Sequence, residues 1–202
     1  QELIRRPNVK ALPVEAIIQR LTLNENGKQK VSKAGEDFLV MPPQAMIPPG
    51  ATQNFRIQWL GDPMMAQSQS FILAINQVPV KLPKGQAGVQ VVMGLGVMLN
   101  VAPPQGAPEL RVVSTGVVTD KSGRKFPTIT VQNTSKVHAL LPDAAIQLSA
   151  GSWSANLPPR SISDRVGIGL VQPGAKRKFT LPAELPPGAS SVQASIQFSP
   201  KR

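Results

Sequence analysis

The chain has 202 residues, enough to bury a sizeable core in one large domain or two small ones. Its 21 prolines and 16 glycines exclude long helices, and the absence of cysteine excludes a disulfide framework or a cysteine-based metal site. The net charge of +11 divides as +4 over residues 1–102 (ten cations, six anions) and +7 over 103–202 (twelve, five) and comes with only 4% aromatics; this is not the focused, aromatic-interleaved charge of a nucleic-acid binder and points to acidic partners instead.

In chain order, Leu3-Ile4 before Arg5-Arg6-Pro7-Asn8 reads as a strand end running into a turn. Val14–Leu23 is apolar and β-branched and stops at Asn24-Glu25-Asn26-Gly27, which predicts strand–turn–strand. Two proline pairs bracket Gln44–Ile47, and further strands are expected at Gln53–Leu60 and Ser70–Val78. The most informative stretch is Val89–Val101, VQVVMGLGVMLNV, whose odd positions are apolar without a break. Side chains alternate across a strand, so this pattern predicts one long strand of roughly 43 Å with a continuous apolar row. An apolar edge of that length is an aggregation hazard that proteins usually suppress, and keeping one implies a use for it.

Pro103–Pro108 is the one composition shift that reads as a boundary, short and stiff enough for a fixed elbow. The division expected is therefore residues 1–102, an elbow at 103–108, and residues 109–202. The second part repeats the all-β pattern at Leu110–Val118, Thr128–Gln132, Ala144–Leu148, Lys178–Leu181 and Val192–Phe198. Strands at this spacing predict a second β-sandwich. No run approaches the roughly 18 apolar residues of a membrane span, so membrane insertion is not expected.

Catalytic signals are poor. His138 is the single histidine, in a strand-like run, and reads as a structural side chain. No second histidine or cysteine completes a zinc set, and no Gly-x-Ser-x-Gly elbow is present. Gly94-Leu95-Gly96 lies inside a strand and leads to Pro103, so it is no dinucleotide fingerprint; its small residues allow another surface to come close. Trp59 and Trp153 read as core anchors, and Met64-Met65 as a soft contact patch or a loop anchor. No cofactor is expected.

Several stretches taken together resemble the periplasmic pilus-assembly chaperones of the chaperone–usher pathway. They are Gln44–Gly50 (QAMIPPG), Gln53–Arg56 (QNFR), Ser68–Leu73 (SQSFIL), Gln77–Pro79 (QVP) and then the long alternating strand. In the second half, Asn133 with Val137–Ala139, Val171–Gly174 (VQPG) and Arg177–Phe179 are similar to the family's C-terminal domain. The SFIL and QVP forms look more like the archaic branch, which builds Csu-type or spore-coat-U-like pili. The resemblance implies an L-shaped pair of immunoglobulin-like domains. It also implies a periplasmic chaperone that captures pilin subunits lacking their last strand and delivers them to an outer-membrane usher. The family lends its long strand to the subunit; carried over, the donated residues are Val89, Val91, Met93 and Leu95.

The departures from the family are specific. Conventional members grip the subunit's C-terminal carboxylate with an arginine near the N-terminus and a lysine late in the long strand, where this chain has Met98. Lys81, Lys84, Arg5 and Arg6 are the candidate anchors in their stead. Gln77 and Ala102 occupy two places of those members' inter-domain charged network. The resemblance also implies that the first strand of the first domain is missing ahead of Gln1, leaving an open sheet edge. Two other readings compete with the chaperone. A two-sandwich adhesion module would bind through end loops such as Gly61–Gln69, and a basic nucleic-acid binder would show steep salt dependence.

Overall fold

The structure, a computed structural model, describes residues 11–34, 36–79 and 92–198. These form two compact units. The first gathers the described residues of Gln1–Arg20, Ser32–Asp62 and Phe71–Leu99, and the second gathers those of Leu21–Val31, Pro63–Ser70 and Asn100–Arg202.

The first unit is built on β1 (Leu12–Leu23), which pairs antiparallel with β6 (Gln69–Gln77) from Val14 opposite Gln77 to Arg20 opposite Phe71. At its N-terminal end β1 also pairs with β4 (Gln44–Ile47), from Leu12 opposite Ile47 to Glu15 opposite Gln44. With β2 (Gln29–Lys33) and β7 (Gly94–Val101) the sheet runs β2-β1-β6-β7. A second, two-stranded sheet joins β3 (Phe38–Met41) to β5 (Arg56–Trp59), with Phe38 opposite Trp59.

Three aromatic rings lock these two sheets face to face. Phe71 of β6 is fully buried, and its ring meets Phe38 edge-on at 4.7 Å and Trp59 at 5.8 Å. Edge-to-face packing of this kind adds about 0.5–1.5 kcal/mol per pair beyond the area buried. The Arg20 guanidinium lies 4.9 Å over the Phe71 ring and is fixed by a 2.8 Å ion pair with Asp37. Gly61 packs directly against the Trp59 indole, where a Cβ would collide with the ring. Trp59 is thus the core anchor its sequence position implied.

The second unit stacks sheet β14-β9-β8 on sheet β12-β11-β15. Here β8 is Leu110–Thr119, β9 Lys125–Asn133, β11 Ala144–Ala150, β12 Trp153–Leu157, β14 Lys176–Thr180 and β15 Gln193–Phe198. A small pair, β10 (Ala139–Leu140) with β13 (Leu170–Val171), and one short helix, α1 (Ser163–Val166), complete it. Ile129, Val131, Leu141, Ile146, Leu181 and Val171 form its dry centre, and Trp153 packs on the rim.

Asn133 holds the loops of this unit. It is fully buried at the end of β9 and uses its whole carboxamide. Nδ2 donates to the carbonyls of Val137 (2.7 Å) and Val171 (3.0 Å), and Oδ1 accepts from the Ser135 amide (3.0 Å) and hydroxyl (2.8 Å). A buried carbonyl left without a donor costs about 1–3 kcal/mol.

Neither unit is one continuous stretch of the chain. Segments Leu21–Val31 and Pro63–Ser70 group with the C-terminal part. Gln172 is one physical reason: its Nε2 donates to the Leu21 carbonyl (2.8 Å) and its Oε1 accepts from the Leu23 amide (2.9 Å). One side-chain amide thereby does what a neighbouring strand residue would do.

Asn133→Ala is expected to lower unfolding free energy by about 1–3 kcal/mol, because the buried Val171 carbonyl loses the Asn133 donor, whereas the half-buried Val137 carbonyl still has the Ser135 hydroxyl at 2.9 Å. Denaturant titration of the variant checks this; an unchanged midpoint would show that solvent replaces the amide.

Candidate functional site

Strand β7 stands at the end of its sheet and, among the described strands, pairs only with β6. Its sequence puts Leu95, Val97, Leu99 and Val101 on one face and Gly94, Gly96, Met98 and Asn100 on the other. Along the first face exposure changes from one end to the other. Met93, Leu95 and Val97 are 65%, 61% and 39% exposed, while Leu99 and Val101 are half-buried. The apolar row is therefore covered at its C-terminal end and bare at its N-terminal end. Leaving such side chains in water forgoes about 1.5–3 kcal/mol each.

The opposite face explains one of the two glycines. A Cβ on Gly94 would sit 3.0 Å from Asn76 Oδ1, closer than ordinary contact, while one on Gly96 would meet Ile72 Cγ2 at an ordinary 3.7 Å. Gly94 thus lets the Asn76 side chain of β6 lean across β7. Ser70 Oγ donates to Asn100 Oδ1 at 2.7 Å and ties the well-covered end.

Among the described residues the strand begins at Gly94, after Val92 and Met93, and Val89–Val91 of the expected strand lie outside them. β6 ends at Gln77, whose amide donates to the Met93 carbonyl at 2.9 Å. Gln77 also reaches toward the Met93 amide through Oε1 at 3.4 Å.

Of the residues singled out in the sequence, Met93 and Leu95 are side by side on this bare row. Val89, Val91, Lys81, Lys84, Arg5 and Arg6 lie outside the described residues. Val97 belongs with the bare row and was not among the residues proposed for donation. The alternation of odd positions was the signal that could have included it. In the adjoining loop Met65 is buried and Met64 is 76% exposed, so the pair divides between anchor and surface.

His138 is held by the Pro63–Ser70 segment. Its backbone amide donates to Ser68 Oγ at 3.0 Å, and its Nδ1 lies 3.1 Å from the same oxygen. With the oxygen already accepting from the amide, the hydroxyl proton is free to point at a neutral Nδ1. Burial pushes the imidazole below its ordinary value. Clefts of 480 Å³ on the β12-β11-β15 sheet and 340 Å³ between Pro13 and Met46 contain no titratable side chain. No group of three or more metal-ligating side chains occurs among the described residues.

Comparison with known proteins gives the following. Residues 7–106, about half the chain, match the family described as pili and flagellar-assembly chaperone, PapD N-terminal domain. No curated protein matches the chain. Among solved structures, one of the chaperone–tip adhesin complex of CFA/I fimbriae biogenesis aligns over 94% of this chain and 86% of its own, with a TM-score of 0.53 and 10% identity. The class 5 fimbriae chaperone CfaA aligns over 96% and 89%, with a TM-score of 0.51 and 9% identity. The CsuC–CsuE chaperone–tip adhesion subunit complex of Acinetobacter baumannii aligns over 93% and 84% at 17% identity, with a TM-score of 0.48. At these identities the first two likenesses show the fold, an all-β immunoglobulin-like one.

The His138 environment generates a pH prediction. The unfolded chain takes up a proton near pH 6.5 and the folded one at lower pH, so stability is full above that value and falls as pH drops below it. Melting temperature measured from neutral to mildly acidic pH is expected to fall more steeply for the natural chain than for His138→Gln. Parallel curves would show that the ring titrates as freely folded as unfolded.

Proposed function

We propose that this chain, which belongs to the pili and flagellar-assembly chaperone family, holds a pilus subunit in the periplasm by lending it β7 and the residues just before it. It then passes that subunit to an outer-membrane usher. Residues 1–102 are the subunit-binding domain in this reading, followed by the 103–108 elbow and the domain of residues 109–202.

The observation that carries the reading is an edge strand whose apolar row is bare for Met93, Leu95 and Val97. A strand so placed has main-chain groups to offer on one side and hydrophobic side chains on one face. Strand addition uses both: backbone hydrogen bonds supply affinity, and alternate side chains fill pockets and supply selectivity. The complementary object is a sandwich with a strand missing, whose open groove is as apolar as this row. Val89, Val91, Met93 and Leu95 are the side chains assigned to that groove. Burying four of them contributes several kcal/mol, at about 1.5–3 kcal/mol each. The likeness to a structure of a chaperone–tip adhesin complex supports a fimbrial subunit as the partner. Lys81, Lys84, Arg5 and Arg6 are assigned to the subunit's terminal carboxylate, and the archaic-branch assignment rests on Ser70–Leu73 and Gln77–Pro79 alone.

The chemistry needed is burial and strand pairing, with no bond made or broken. No nucleotide or metal enters it, in keeping with a family of chaperones.

The test is co-expression in a periplasm with a strand-deficient pilin, followed by mass determination of whatever co-purifies. The natural chain is expected to yield a one-to-one complex, and Met93→Asp with Leu95→Asp to abolish it. Both side chains already face solvent, so the double variant keeps its melting temperature. Capture by the variant equal to that of the natural chain would remove β7 as the donor.

A further inference from the structure

Of the two glycines of β7, Gly94 is accounted for by Asn76 of β6, and Gly96 is not. Among the described residues a Cβ on Gly96 would meet only Ile72 Cγ2, at an ordinary 3.7 Å. Nor does Gly96 have the left-handed backbone that calls for glycine. Glycine inside a strand is destabilising, through chain entropy and the packing it forgoes. Nothing within the described part of the chain offsets this at residue 96.

The place of Gly96 in the ladder gives it a use. Gln77 bonds to Met93 and Ser70 to Asn100, with the same number of residues between them on each strand. Ala74 therefore lies opposite Gly96, and Ile72 opposite Met98. Residues of an antiparallel strand bond alternately to one side and to the other. With Met93 bonded to β6, the amides and carbonyls of Gly94, Gly96 and Met98 point to the side of β7 that no described strand occupies. Phe71 and Leu73 turn into the core, so Gly96, Ala74 and Met98 are on the outer face, where β1 sets Ile17 opposite Ala74. Ile17 is exposed, Ile72, Ala74 and Met98 are half-buried, and Gly96 is exposed. The outer face is thus apolar here and lowest at Gly96, beside the open edge.

We propose that Gly96 is a specificity-determining position, the seat for an aromatic side chain of the captured subunit. This rests on the reading of β7 as the strand lent to that subunit. A subunit strand that bonds to the outward amides and carbonyls of β7 has a residue about 5 Å from Gly96, with its side chain on the same face. A ring is the group that best covers a strand glycine, because it lies across the bare backbone. Here it also rests on Ala74, Ile72 and Met98, none of which offers a polar side chain a strong hydrogen bond. A second copy of this chain, paired edge to edge through β7, has no aromatic residue on that strand to supply the ring. The odd face of the strand thus enters the subunit's groove while its even face receives a group from the subunit.

In the experiment, natural and variant whole chains with different tags compete for a limiting strand-deficient pilin in one periplasm. Their ratio in the purified complex is read by mass spectrometry. Gly96→Val is expected to capture about tenfold less pilin than the natural chain, and Gly96→Ala about threefold less, as the ring is lifted off by increasing bulk. Both variants are expected to keep the natural melting temperature, since a Cβ at residue 96 has ordinary space. Where valine lowers it, alanine carries the test. Changing the pilin's aromatic residues to alanine one at a time is expected to find one that weakens capture by the natural chain but not by the Gly96 variant. Full capture by both Gly96 variants, or the lack of any such aromatic residue, would overturn the proposal. So would equal losses for alanine and valine, since backbone freedom rather than space would then be at stake. Met93→Asp with Leu95→Asp in the same assay separates the two readings. Full capture by that chain removes β7 as the donor, whereas its failure beside full capture by the Gly96 variants removes only the role of Gly96.

Discussion

A β-strand at the end of a sheet has hydrogen-bonding partners on one side only, and in β7, among the described residues, that imbalance coincides with a bare apolar row. Proteins usually blunt such an edge with charge, a proline or a bulge. Here none of these interrupts Gly94–Val101, which carries no charged residue and no proline. The strand is instead held firmly from one side. Its far end is tied by Ser70 to Asn100 and its near end by Gln77 to Met93, and Gly94 lets the Asn76 side chain of β6 lean over it. The result is a rigid backbone offering a soft, apolar surface, which limits the ordering entropy that any partner strand must overcome.

That rigidity traces back to β6, and so to Phe71. Alternate residues of β6 do opposite work: Phe71 and Leu73 point into the core, while Ile72 and Asn76 lie beside the glycines of β7. The aromatic trio with Phe38 and Trp59 fixes β6 against the second sheet, and Arg20 caps the Phe71 ring from β1. A cavity at Phe71 would therefore loosen β7 without touching it. The packing of one side chain and the geometry of the exposed edge are linked through a single strand.

Much of this was legible in the sequence, and the exceptions have physical causes. Val14–Leu23 and Ser70–Val78 were readable because an apolar alternation and a turn signal agree at each. Phe38–Met41 was not, since four residues before two prolines are too few to show a period, and Trp153–Leu157 was hidden by its small polar residues. The odd-position row of β7 was plain, but its division into covered and bare ends is set by tertiary packing, which leaves no period in the sequence. The attachment of Leu21–Val31 to the second unit was invisible because it rests on individual groups: the carboxamide of Gln172, and an amide of β14 bonded to the carbonyl of Glu25. Such contacts between residues far apart in the chain leave no local pattern.

An exposed apolar edge and a net charge of +11 make sense together. Bare rows such as Met93, Leu95 and Val97 invite a second copy of the same chain as readily as any other strand. Like charge spread over both halves of the molecule opposes that encounter at long range, before the strands can register. A partner of lower or opposite charge meets no such barrier and gains the same burial. The charge thus does for self-association what edge lysines do locally elsewhere: it leaves the hydrophobic strand available while disfavouring the one partner that is always present. The specificity of the edge then lies partly in residues far from it.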